Sequence, residues 1–323
     1  MIDVTVRVGF VGVGGIAQGH LRNISSNPDS DLIAVCDVAE DRARRAAGAY
    51  GASSYTSFSE MIEKEDLDAL YICVPPYAHG EIETLAAENS VAIFVEKPLS
   101  ADPQTPESIS KAINKAGIIT SVGYNWRYSD MTDLALQQLK DRPIGLVVGY
   151  WMGGLPGVPW WRKKSMSGGQ IVEQTTHIFD MARHLAGEVD VVYSAAGLQV
   201  MTDVEGLDVE DASAVSLKFA NGAPGVIIST CMLSQGYRVM ISVFSKDLAL
   251  EHTQDRLRIS VPGETREIKS KVNPYELEDA IFVEAVSKGD DSKIRCPYHE
   301  ALKTHRLTMA ANRSIETGQP VRP

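Results

Sequence analysis

The sequence has little of what marks secreted or membrane-spanning proteins. Its four cysteines are scattered, without a CxxC pair or a Cys/His cluster, which argues against a disulfide scaffold or structural zinc. No apolar run approaches the roughly 18 residues needed to cross a bilayer. The first fifteen residues have neither the basic segment nor the apolar core of a signal peptide. We therefore expect a cytoplasmic protein with reduced thiols.

Positive charge is also scarce. The chain has 31 lysines and arginines against 42 aspartates and glutamates, a formal net charge of −11, and no basic stripe. This balance argues against nucleic acid or an anionic membrane as a partner and leaves a small molecule. The 323 residues, 44 % of them hydrophobic, are enough for two domains, each with a core of its own.

Short apolar runs alternate with helical segments over residues 1–122. The predicted strands are Val4–Val11, Leu32–Cys36, Ala69–Val74, Ala92–Val95 and Ile118–Val122. Strands separated by helices predict right-handed crossovers and a parallel sheet with helices on both faces. We therefore predict an α/β domain with a parallel sheet over residues 1–122.

Residues 123–323 follow a different pattern. A loop rich in Gly, Pro and Trp precedes a predicted helix at Ile171–Ala186, and strand-like runs with short turns follow, beginning with Val189–Val200. This order predicts an α+β domain with a large, open, mostly antiparallel sheet. Two predicted helices end the chain. Packing of the final helix on the first domain is left open as an alternative. An open apolar sheet face would need a cover, so we expect a homodimer or homotetramer.

A glycine-rich turn follows the first predicted strand and opens a helix. It reads Gly12, Val13, Gly14, Gly15, Ile16, Ala17, the pattern G-x-G-x-x-A. The first glycine allows a tight turn, the second a close approach of a pyrophosphate, and the alanine close packing of helix on strand. The helix N-terminus offers unpaired N–H groups to the phosphates. The motif predicts a dinucleotide site.

Asp37 ends the next strand, 20 residues beyond Ala17. A carboxylate there is suited to the ribose hydroxyls of an adenosine and repels a 2′-phosphate, so we expect NAD rather than NADP. A helix cap is the other interpretation of Asp37. Arg42, Arg44 and Arg45 on the following helix are interpreted as a solvated face, although they could also bind a phosphate.

Lys97 lies in the tripeptide Glu96-Lys97-Pro98, which closes the strand Ala92–Val95. The carboxyl ends of strands in such a sheet face the ligand crevice. A lysine in this place is a candidate for contact with a substrate hydroxyl. Taken alone, it is equally well an ordinary surface lysine.

A second candidate cluster lies on the helix predicted at Ile171–Ala186. Glu173 and His177 are four residues apart, so we expect them on one helix face, with Asp180 nearly aligned. A carboxylate beside an imidazole selects its tautomer and raises its basicity, as a general base requires. The alternative interpretation is that Glu173 and His177 form an ion pair on the helix surface without a catalytic role. Metal binding is disfavoured because the neighbourhood supplies no third ligand, and we predict no metal site.

Aromatic and basic side chains surround this cluster in the sequence. The residues that suggest a sugar site are Trp126, Trp160, Trp161, Arg162 and Tyr275. Aromatic faces stack on the C–H faces of sugars, while arginine binds hydroxyls or a carboxylate. The tryptophans could also belong to the core or to an interface, and Tyr275 could be a packed tyrosine at a helix start.

Six stretches form a recognisable set: GVGGIA at 12–17, VPPYAH at 74–79, EKP at 96–98, GYNWRY at 123–128, GGQIVEQTTHIFD at 168–180 and NPYELEDAIFVEAV at 273–286. Together they resemble the glucose–fructose oxidoreductase, inositol dehydrogenase and MocA-like family. The resemblance implies a Rossmann domain followed by a domain with an open, mostly antiparallel sheet. It also implies NAD(P)-dependent oxidation of a secondary alcohol on a sugar, sugar acid or cyclitol, or the reverse reduction.

The resemblance also implies roles for individual residues. Lys97 and His177 take the positions of the family's lysine and histidine, and Glu173 stands where the family usually has Asp. The residues that it places beside the cofactor are Val74, Pro75, His79, Glu96 and Lys97. Substrate contacts fall on Lys97, Trp126, Arg127, Trp161, Arg162, Glu173, His177 and Tyr275. Two departures are Pro76 for the usual Asn, and Trp126 within a segment that often reads Asn-Arg-Arg.

The leading hypothesis is an NAD-dependent dehydrogenase in which His177 accepts the hydroxyl proton, Glu173 orients the imidazole and Lys97 contacts the reacting oxygen. Lys97 as the base remains open. We expect the three side chains to meet in the crevice between the two domains. The rival hypotheses are an NAD-dependent glycosidase on the same fold and a non-catalytic dinucleotide sensor.

Overall fold

The computed structural model describes residues 5–323, so Val4, where the first strand was expected to begin, lies outside the described residues. The strands are β1 (Val6–Val11), β2 (Ser30–Cys36), β3 (Ser53–Tyr55), β4 (Ala69–Ile72), β5 (Ala92–Val95), β6 (Thr120–Val122), β7 (Leu146–Met152), β8 (Val189–Gly197), β9 (Ala212–Phe219), β10 (Pro224–Thr230), β11 (Arg238–Ser245), β12 (Leu248–His252), β13 (Arg256–Val261) and β14 (Glu264–Lys269).

The helices are α1 (Ala17–Ser26), α2 (Glu40–Tyr50), α3 (Phe58–Lys64), α4 (Glu81–Glu88), α5 (Thr105–Ala116), α6 (Asp130–Leu139), α7 (Lys164–Ser167), α8 (Gln170–Glu173), α9 (Thr176–Ala186), α10 (Pro274–Lys288) and α11 (Tyr298–Thr317). Short 3₁₀ turns cover Pro76–Ala78, Asn125–Tyr128 and Pro159–Arg162. Among the helices of residues 5–323, none combines the length and the apolar character needed to cross a membrane.

The chain folds into two units, and the first contains a six-stranded parallel sheet in the order β3-β2-β1-β4-β5-β6. This is the Rossmann arrangement that the family resemblance implied, and it confirms the parallel sheet that the alternating pattern predicted. The core of the sheet is aromatic, because Tyr71 of β4 stacks between Phe10 of β1 and Phe94 of β5 with centroid distances of 4.7 Å on each side. All three rings are fully buried.

The first unit comprises the described residues up to Leu99, together with Gln104–Asn125 and Pro274–Ala301. The division therefore differs from the single boundary expected after residue 122. The penultimate helix α10 belongs with the parallel sheet, and the first turn of the final helix α11 falls in the same unit. Phe282 and Val283 of α10 are buried in the same core cluster as the strands, and this burial is favourable because it removes apolar surface from water.

The second unit is built on an eight-stranded sheet in the order β14-β13-β12-β11-β7-β10-β9-β8. All of its pairings are antiparallel except that of β7 with β10, so the expected open, mostly antiparallel sheet is confirmed. Helix α9 covers one face. It lies close to the sheet because residue 149 is glycine, and a Cβ at that position would lie 2.4 Å from Cγ2 of Ile178.

Some elements differ from the sequence-based prediction. The helix expected over Ile171–Ala186 is two helices, α8 and α9, and β8 ends at Gly197 instead of continuing to Val200. The helix breaks at Gln174 and Thr175, where the Thr175 N–H bonds to the Gln170 carbonyl instead of continuing the regular ladder. Two β-branched threonines stand at this break, a residue type with reduced helix propensity. The prediction also missed β3, α3 and β14.

Candidate active site

The glycine-rich loop lies at the carboxyl edge of the parallel sheet, between β1 and α1. Gly12 adopts φ +83, and a Cβ there would lie 2.4 Å from the Cys73 carbonyl oxygen, so only glycine fits. A Cβ added to Gly14 or Gly15 would meet nothing within 4 Å, which leaves open space beside the loop. Helix α1 begins at Ala17 without a side-chain cap or an acidic residue in its first turn. Its N-terminus is therefore suited to an anion.

Asp37 lies directly after β2, at the same edge, and its side chain is buried. Its Oδ2 accepts a hydrogen bond from the Val13 N–H at 3.1 Å, which ties it to the glycine-rich loop. Its Oδ1 accepts from the Ala39 N–H at 2.9 Å and from Nη2 of Arg42 at 2.9 Å. Burial raises the pKa of Asp37, but the hydrogen bonds from Arg42 and the backbone outweigh burial and hold the pKa below its usual value. The side chain is a carboxylate at neutral pH.

The three arginines on α2 are not equivalent. Arg42 is exposed, as the solvated-face interpretation expects, but its guanidinium also pairs with Asp37. Arg44 instead pairs with Glu40 at 2.5 Å on an exposed surface. A guanidinium beside the residue expected to contact the ribose bears on the choice between NAD and NADP, because guanidinium groups are good partners for phosphate.

His79 follows β4 and the 3₁₀ turn that begins at Pro76. Its Nδ1–H donates to Oε1 of Glu83 at 2.5 Å, and both side chains are buried. The Nε2 atom is also buried and has no hydrogen-bond partner within the described chain. An orphaned buried polar atom costs free energy unless a ligand or water satisfies it. Together with the open glycine-rich loop, this atom fits a dinucleotide bound along the sheet edge.

Glu96 and Lys97 follow β5 at this edge. Glu96 is buried, and its Oε2 accepts a hydrogen bond from the Lys97 backbone N–H at 3.0 Å. The Lys97 side chain is only partly buried, and Pro98 behind it is buried. The first unit therefore brings together the glycine-rich loop, Asp37 and Lys97 on one side of the sheet, where α/β proteins bind their ligands.

In the second unit, His177 lies near the start of α9. Its ring stacks on Trp151 of β7 with a centroid distance of 5.7 Å and an interplanar angle of 13°. Gly149 and Trp151 lie on the same face of β7, so the close approach that glycine permits is what brings α9 against the tryptophan. His177 is buried, with 8 % of its surface exposed.

Glu173 ends α8, so the expectation that it shares one continuous helix face with His177 is wrong. Its Oε2 instead accepts a hydrogen bond from Nε1 of Trp161 at 2.7 Å. Trp161 is fully buried in a small apolar cluster with Val209 and Cys231. The expected sugar-stacking role of Trp161 is corrected, because no face of its ring is exposed.

Asp180 lies three residues beyond His177 on α9, as the sequence predicts, and its carboxylate bonds to residues outside that helix. It forms a buried bidentate pair with Arg127, with Nε–Oδ2 and Nη2–Oδ1 distances of 2.8 and 2.7 Å. Its Oδ1 also accepts from the hydroxyl of Thr304. The expected substrate contact of Arg127 is corrected as well, since two of its donors bond to Asp180 and the residue is only 2 % exposed.

The remaining candidate substrate residues differ in how far they are buried. Trp126 is buried in the core and stacks on His252 at 5.4 Å, so it presents no platform for a sugar. Arg162 is partly buried and donates from Nη1 to the Glu205 carbonyl oxygen at 3.2 Å. Trp160 is partly buried against the Trp161 cluster. Tyr275, in the first unit, lies edge-on to His20 at 6.2 Å and stays a candidate.

Two residues of interest escaped the sequence analysis. Trp151 supports His177, yet in the sequence it is one apolar residue of a strand. Asn125 is 1 % exposed, and its side-chain oxygen and nitrogen have no hydrogen-bond partner in the described chain. Its position in the segment Asn125-Trp126-Arg127 was the only available signal.

All four cysteines are buried thiols.

Comparison with known proteins agrees with this geometry. Residues 6–124 match the family model described as "Oxidoreductase family, NAD-binding Rossmann fold", and residues 144–259 match the "GFO/IDH/MocA C-terminal domain". The inositol 2-dehydrogenase of Rhizobium meliloti is 30 % identical over 97 % of this chain and 97 % of its own length. The myo-inositol 2-dehydrogenase of Thermotoga maritima is 30 % identical over 74 % of this chain and 72 % of its own length.

Among solved structures, levoglucosan dehydrogenase in complex with NADH and L-sorbose has a TM-score of 0.89. It is 18 % identical to this chain, and the alignment covers 99 % of each. This similarity supports the fold. The names of the sequence relatives favour a dehydrogenase over the glycosidase and over the non-catalytic sensor.

Proposed function

Because the chain belongs to the GFO/IDH/MocA oxidoreductase family, with an NAD-binding Rossmann domain and that family's C-terminal domain, we propose that it oxidises a secondary alcohol of a cyclitol, sugar or sugar acid with NAD. The observation that carries this proposal is the placement of Lys97 at the strand edge that also bears the glycine-rich loop and Asp37. A lysine at the carboxyl end of β5 stands where a ligand of a parallel sheet binds. The names of the inositol dehydrogenases similar to this chain support the substrate class.

The residues of the first unit fit NAD. The glycine-rich loop and the N-terminus of α1 would hold the pyrophosphate, Asp37 would accept hydrogen bonds from the ribose hydroxyls, and Val74, Pro75 and His79 would line the continuation of the edge. When bound, NAD supplies the hydride acceptor. We assign NAD over NADP because Asp37 is ionised, and a carboxylate repels a 2′-phosphate.

The reaction removes a proton from the hydroxyl while the carbon loses its hydrogen with the electron pair. Lys97 donates a hydrogen bond to the reacting oxygen and stabilises the negative charge that develops there. His177 accepts the hydroxyl proton, and its ring is held by Trp151. Glu173, held by Trp161, binds the substrate or the imidazole. A placed general base is typically worth about 10²–10⁴-fold in rate.

A spectrophotometric screen tests this function. Inositol isomers, aldoses and sugar acids are each incubated with enzyme and NAD, and in parallel with NADP, and reduced cofactor is followed by absorbance. We expect at least one polyol to give NADH, and Lys97→Met enzyme prepared in the same way to give it at a much lower but measurable rate. Release of a free aglycone from aryl glycosides without net NADH would instead identify a glycosidase. Tight NAD binding without turnover on any substrate would identify a sensor.

We also propose a homodimer or homotetramer, with the uncovered face of the eight-stranded sheet as the contact. Val148 and Tyr150 of β7 lie on the face opposite to Gly149, and they pair with Val226 and Ile228 of β10. All four side chains are partly exposed. A contiguous apolar patch of this kind is typical of an interface between subunits.

A further inference from the structure

A cluster of buried ionisable side chains lies beneath the strand ends of the first unit, and the proposed mechanism uses none of its members. His20 comes from α1, Glu96 follows β5, and Glu278 and Asp279 come from α10. Each is between 0 and 3 % exposed. Groups of this kind are almost never fully buried unless they are paired, so the cluster calls for a physical explanation.

His20 lies at the centre of the cluster, with a carboxylate at each ring nitrogen. Its Nδ1 is 2.7 Å from Oδ1 of Asp279, and its Nε2 is 3.1 Å from Oε1 of Glu96. A carboxylate only accepts hydrogen bonds, so both ring nitrogens must carry protons. His20 is therefore an imidazolium. Burial lowers the pKa of His20, but the hydrogen bonds to Asp279 and Glu96 outweigh burial and raise the pKa well above its usual value.

The groups around His20 are consistent with this charge. Asp279 is satisfied on its other oxygen, since Nδ2 of Asn23 donates to Oδ2 at 2.7 Å. Glu278 has neither oxygen hydrogen-bonded within the described chain, and burial raises the pKa of its carboxyl well above the usual value, which favours the neutral acid. The rings of Tyr71 and Tyr275 also face His20, at centroid distances of 5.6 and 6.2 Å.

A divalent cation is the rival explanation of the cluster. One ligand atom each from His20, Glu96 and Glu278 lies within 4.8 Å of the other two. An imidazolium has no lone pair to offer a metal, however, and a metal ligand must first lose its proton. The contacts of His20 with two carboxylates therefore favour a proton over a metal ion in this place.

Glu96 connects the cluster to Lys97 through hydrogen bonds. Glu96 accepts from His20 on Oε1 and from the Lys97 backbone N–H on Oε2, the latter at 3.0 Å. Its carboxyl is also confined by Gly123, because a Cβ at that position would lie 2.8 Å from Oε1. Asp279, His20, Glu96 and the Lys97 backbone thus form one continuous hydrogen-bonded chain. His20 itself lies three residues beyond Ala17, on the helix that the glycine-rich loop opens.

We propose that His20 is a positioning residue, which as an imidazolium between Asp279 and Glu96 fixes the Glu96 carboxylate and through it the backbone from which Lys97 presents its amino group. This inference rests on the proposed function of Lys97. Without the positive charge, Glu96 would be a buried carboxylate that lacks its main partner, and burying an unpaired charge is strongly unfavourable. Glu96 would then move, and the Lys97 backbone would lose its anchor.

The first test does not depend on a substrate. Nitrogen NMR of enzyme with labelled histidine reports the protonation state of each ring, and we expect His20 to remain an imidazolium at pH 8. The Lys97 amide proton should shift in His20→Gln and in Asp279→Asn enzyme and stay in place in His252→Gln, which changes a buried histidine of the other unit. A neutral His20 at pH 8 would overturn the proposal. So would one equivalent of tightly bound divalent metal in the purified protein.

The second test separates positioning from stability. His20→Gln should lower kcat about 10- to 100-fold and change the dissociation constant of NAD by less than about 3-fold. In a Lys97→Met background the same substitution should have no further effect on kcat, because both changes act through one group. If the fold-losses in kcat of the two single variants multiply in the double variant, His20 has a merely structural role. If His20→Gln does not fold, Asp279→Asn carries the same comparison.

The two tests also distinguish this inference from the proposed function. If no polyol is oxidised but His20 is an imidazolium and the Lys97 amide responds to it, the proposed function fails and the hydrogen-bonded chain stands. If polyols are oxidised and His20→Gln leaves both kcat and the Lys97 amide unchanged, the proposed function stands and the inference fails.

Discussion

Nε1 of Trp161 donates a hydrogen bond of 2.7 Å to Oε2 of Glu173. The tryptophan is fully buried, whereas the glutamate is partly exposed, so a rigid group of the core holds a partly exposed carboxylate. A side chain whose position is determined by packing is the kind of support that a catalytic carboxylate needs. Because the contact joins residues on either side of Gly168, it also links α8 to the preceding 3₁₀ turn.

Trp161→Phe removes the N–H donor and keeps an aromatic ring. We expect kcat/KM to fall about 10-fold, since a hydrogen bond to a charged group is worth about 1.5 kcal/mol. Trp126→Phe is the matched control, because that ring packs on His252 and not on Glu173. Equal losses in the two variants would show that bulk in the core, and not the bond to Glu173, matters. The measurement is steady-state kinetics on the substrate found in the screen.

His177→Ala removes the proposed base. We expect kcat to fall about 10²–10⁴-fold with the affinity for NAD nearly unchanged, and Lys97→Met to lose both substrate affinity and turnover. The double variant should cost less than the sum of the two single losses, as groups that act in one transition state are not additive. His184→Ala, on the same helix, is the control. Activity of His177→Ala within a few-fold of wild type would make Lys97 the leading base.

Asp37→Ala should weaken NAD binding about 10- to 100-fold. It should also reduce the ratio by which the enzyme prefers NAD to NADP. The substitution removes the acceptor for the ribose hydroxyls and also frees Arg42, which Asp37 now engages, to meet a 2′-phosphate. Titration calorimetry with both cofactors measures the two affinities, and Arg44→Ala is the control because Arg44 pairs elsewhere. Equal use of NAD and NADP by the wild type would contradict the assigned role of Asp37.

Acid should destabilise the second unit through His252. Burial, the largest cause, lowers the pKa of His252 from 6.5 to about 4, so the folded protein keeps the ring neutral where the unfolded chain protonates it. The free energy of unfolding should therefore fall as pH drops from 6.5 to 4, by about 3 kcal/mol in total. Tryptophan fluorescence during urea titration follows this unit, since Trp126, Trp151, Trp160 and Trp161 all belong to it. His252→Gln should flatten the decline, and an equal slope in wild type and variant would refute this account.

Ile228→Asp should weaken the proposed association of subunits. The side chain lies on the uncovered face of the eight-stranded sheet, opposite Tyr150 on the neighbouring strand, where a charge would oppose burial. Light scattering at micromolar concentration should show an oligomer for the wild type and smaller particles for the variant. Val200→Asp, at a 64 % exposed position outside the strands, should keep the wild-type size. A monomeric wild type would refute the proposal.

Much of the fold is readable from local patterns. The apolar runs that become β1, β4 and β5 are bounded by turn residues, and the G-x-G-x-x-A loop falls where a strand meets a helix. The pattern was less informative for β14, a strand of mostly exposed polar residues, because such a strand lacks the alternation that marks a half-buried surface. The break between α8 and α9 was missed because two adjacent threonines only weakly disfavour a helix.

The candidate site was predicted less completely. Lys97 and Asp37 were assigned from their place at strand ends, which a parallel sheet brings to one edge. Trp126, Trp161 and Arg127 were expected to face a sugar, and the structure buries all three. Composition shows that an aromatic or basic residue is present but not which way it faces, because that depends on partners far along the chain. Asp180, 53 residues from Arg127, is such a partner.

The sequence by itself determined the two-unit architecture and the chemical types available at the sheet edge, because periodicity and turn chemistry act over a few residues. Only the tertiary structure decided which polar groups are paired. It placed Trp161 under Glu173, Trp151 against His177, and His20 between Asp279 and Glu96. These contacts join residues from 12 to 259 positions apart. They depend on how whole elements pack, since burial of a charged group is tolerated only where a distant partner satisfies it.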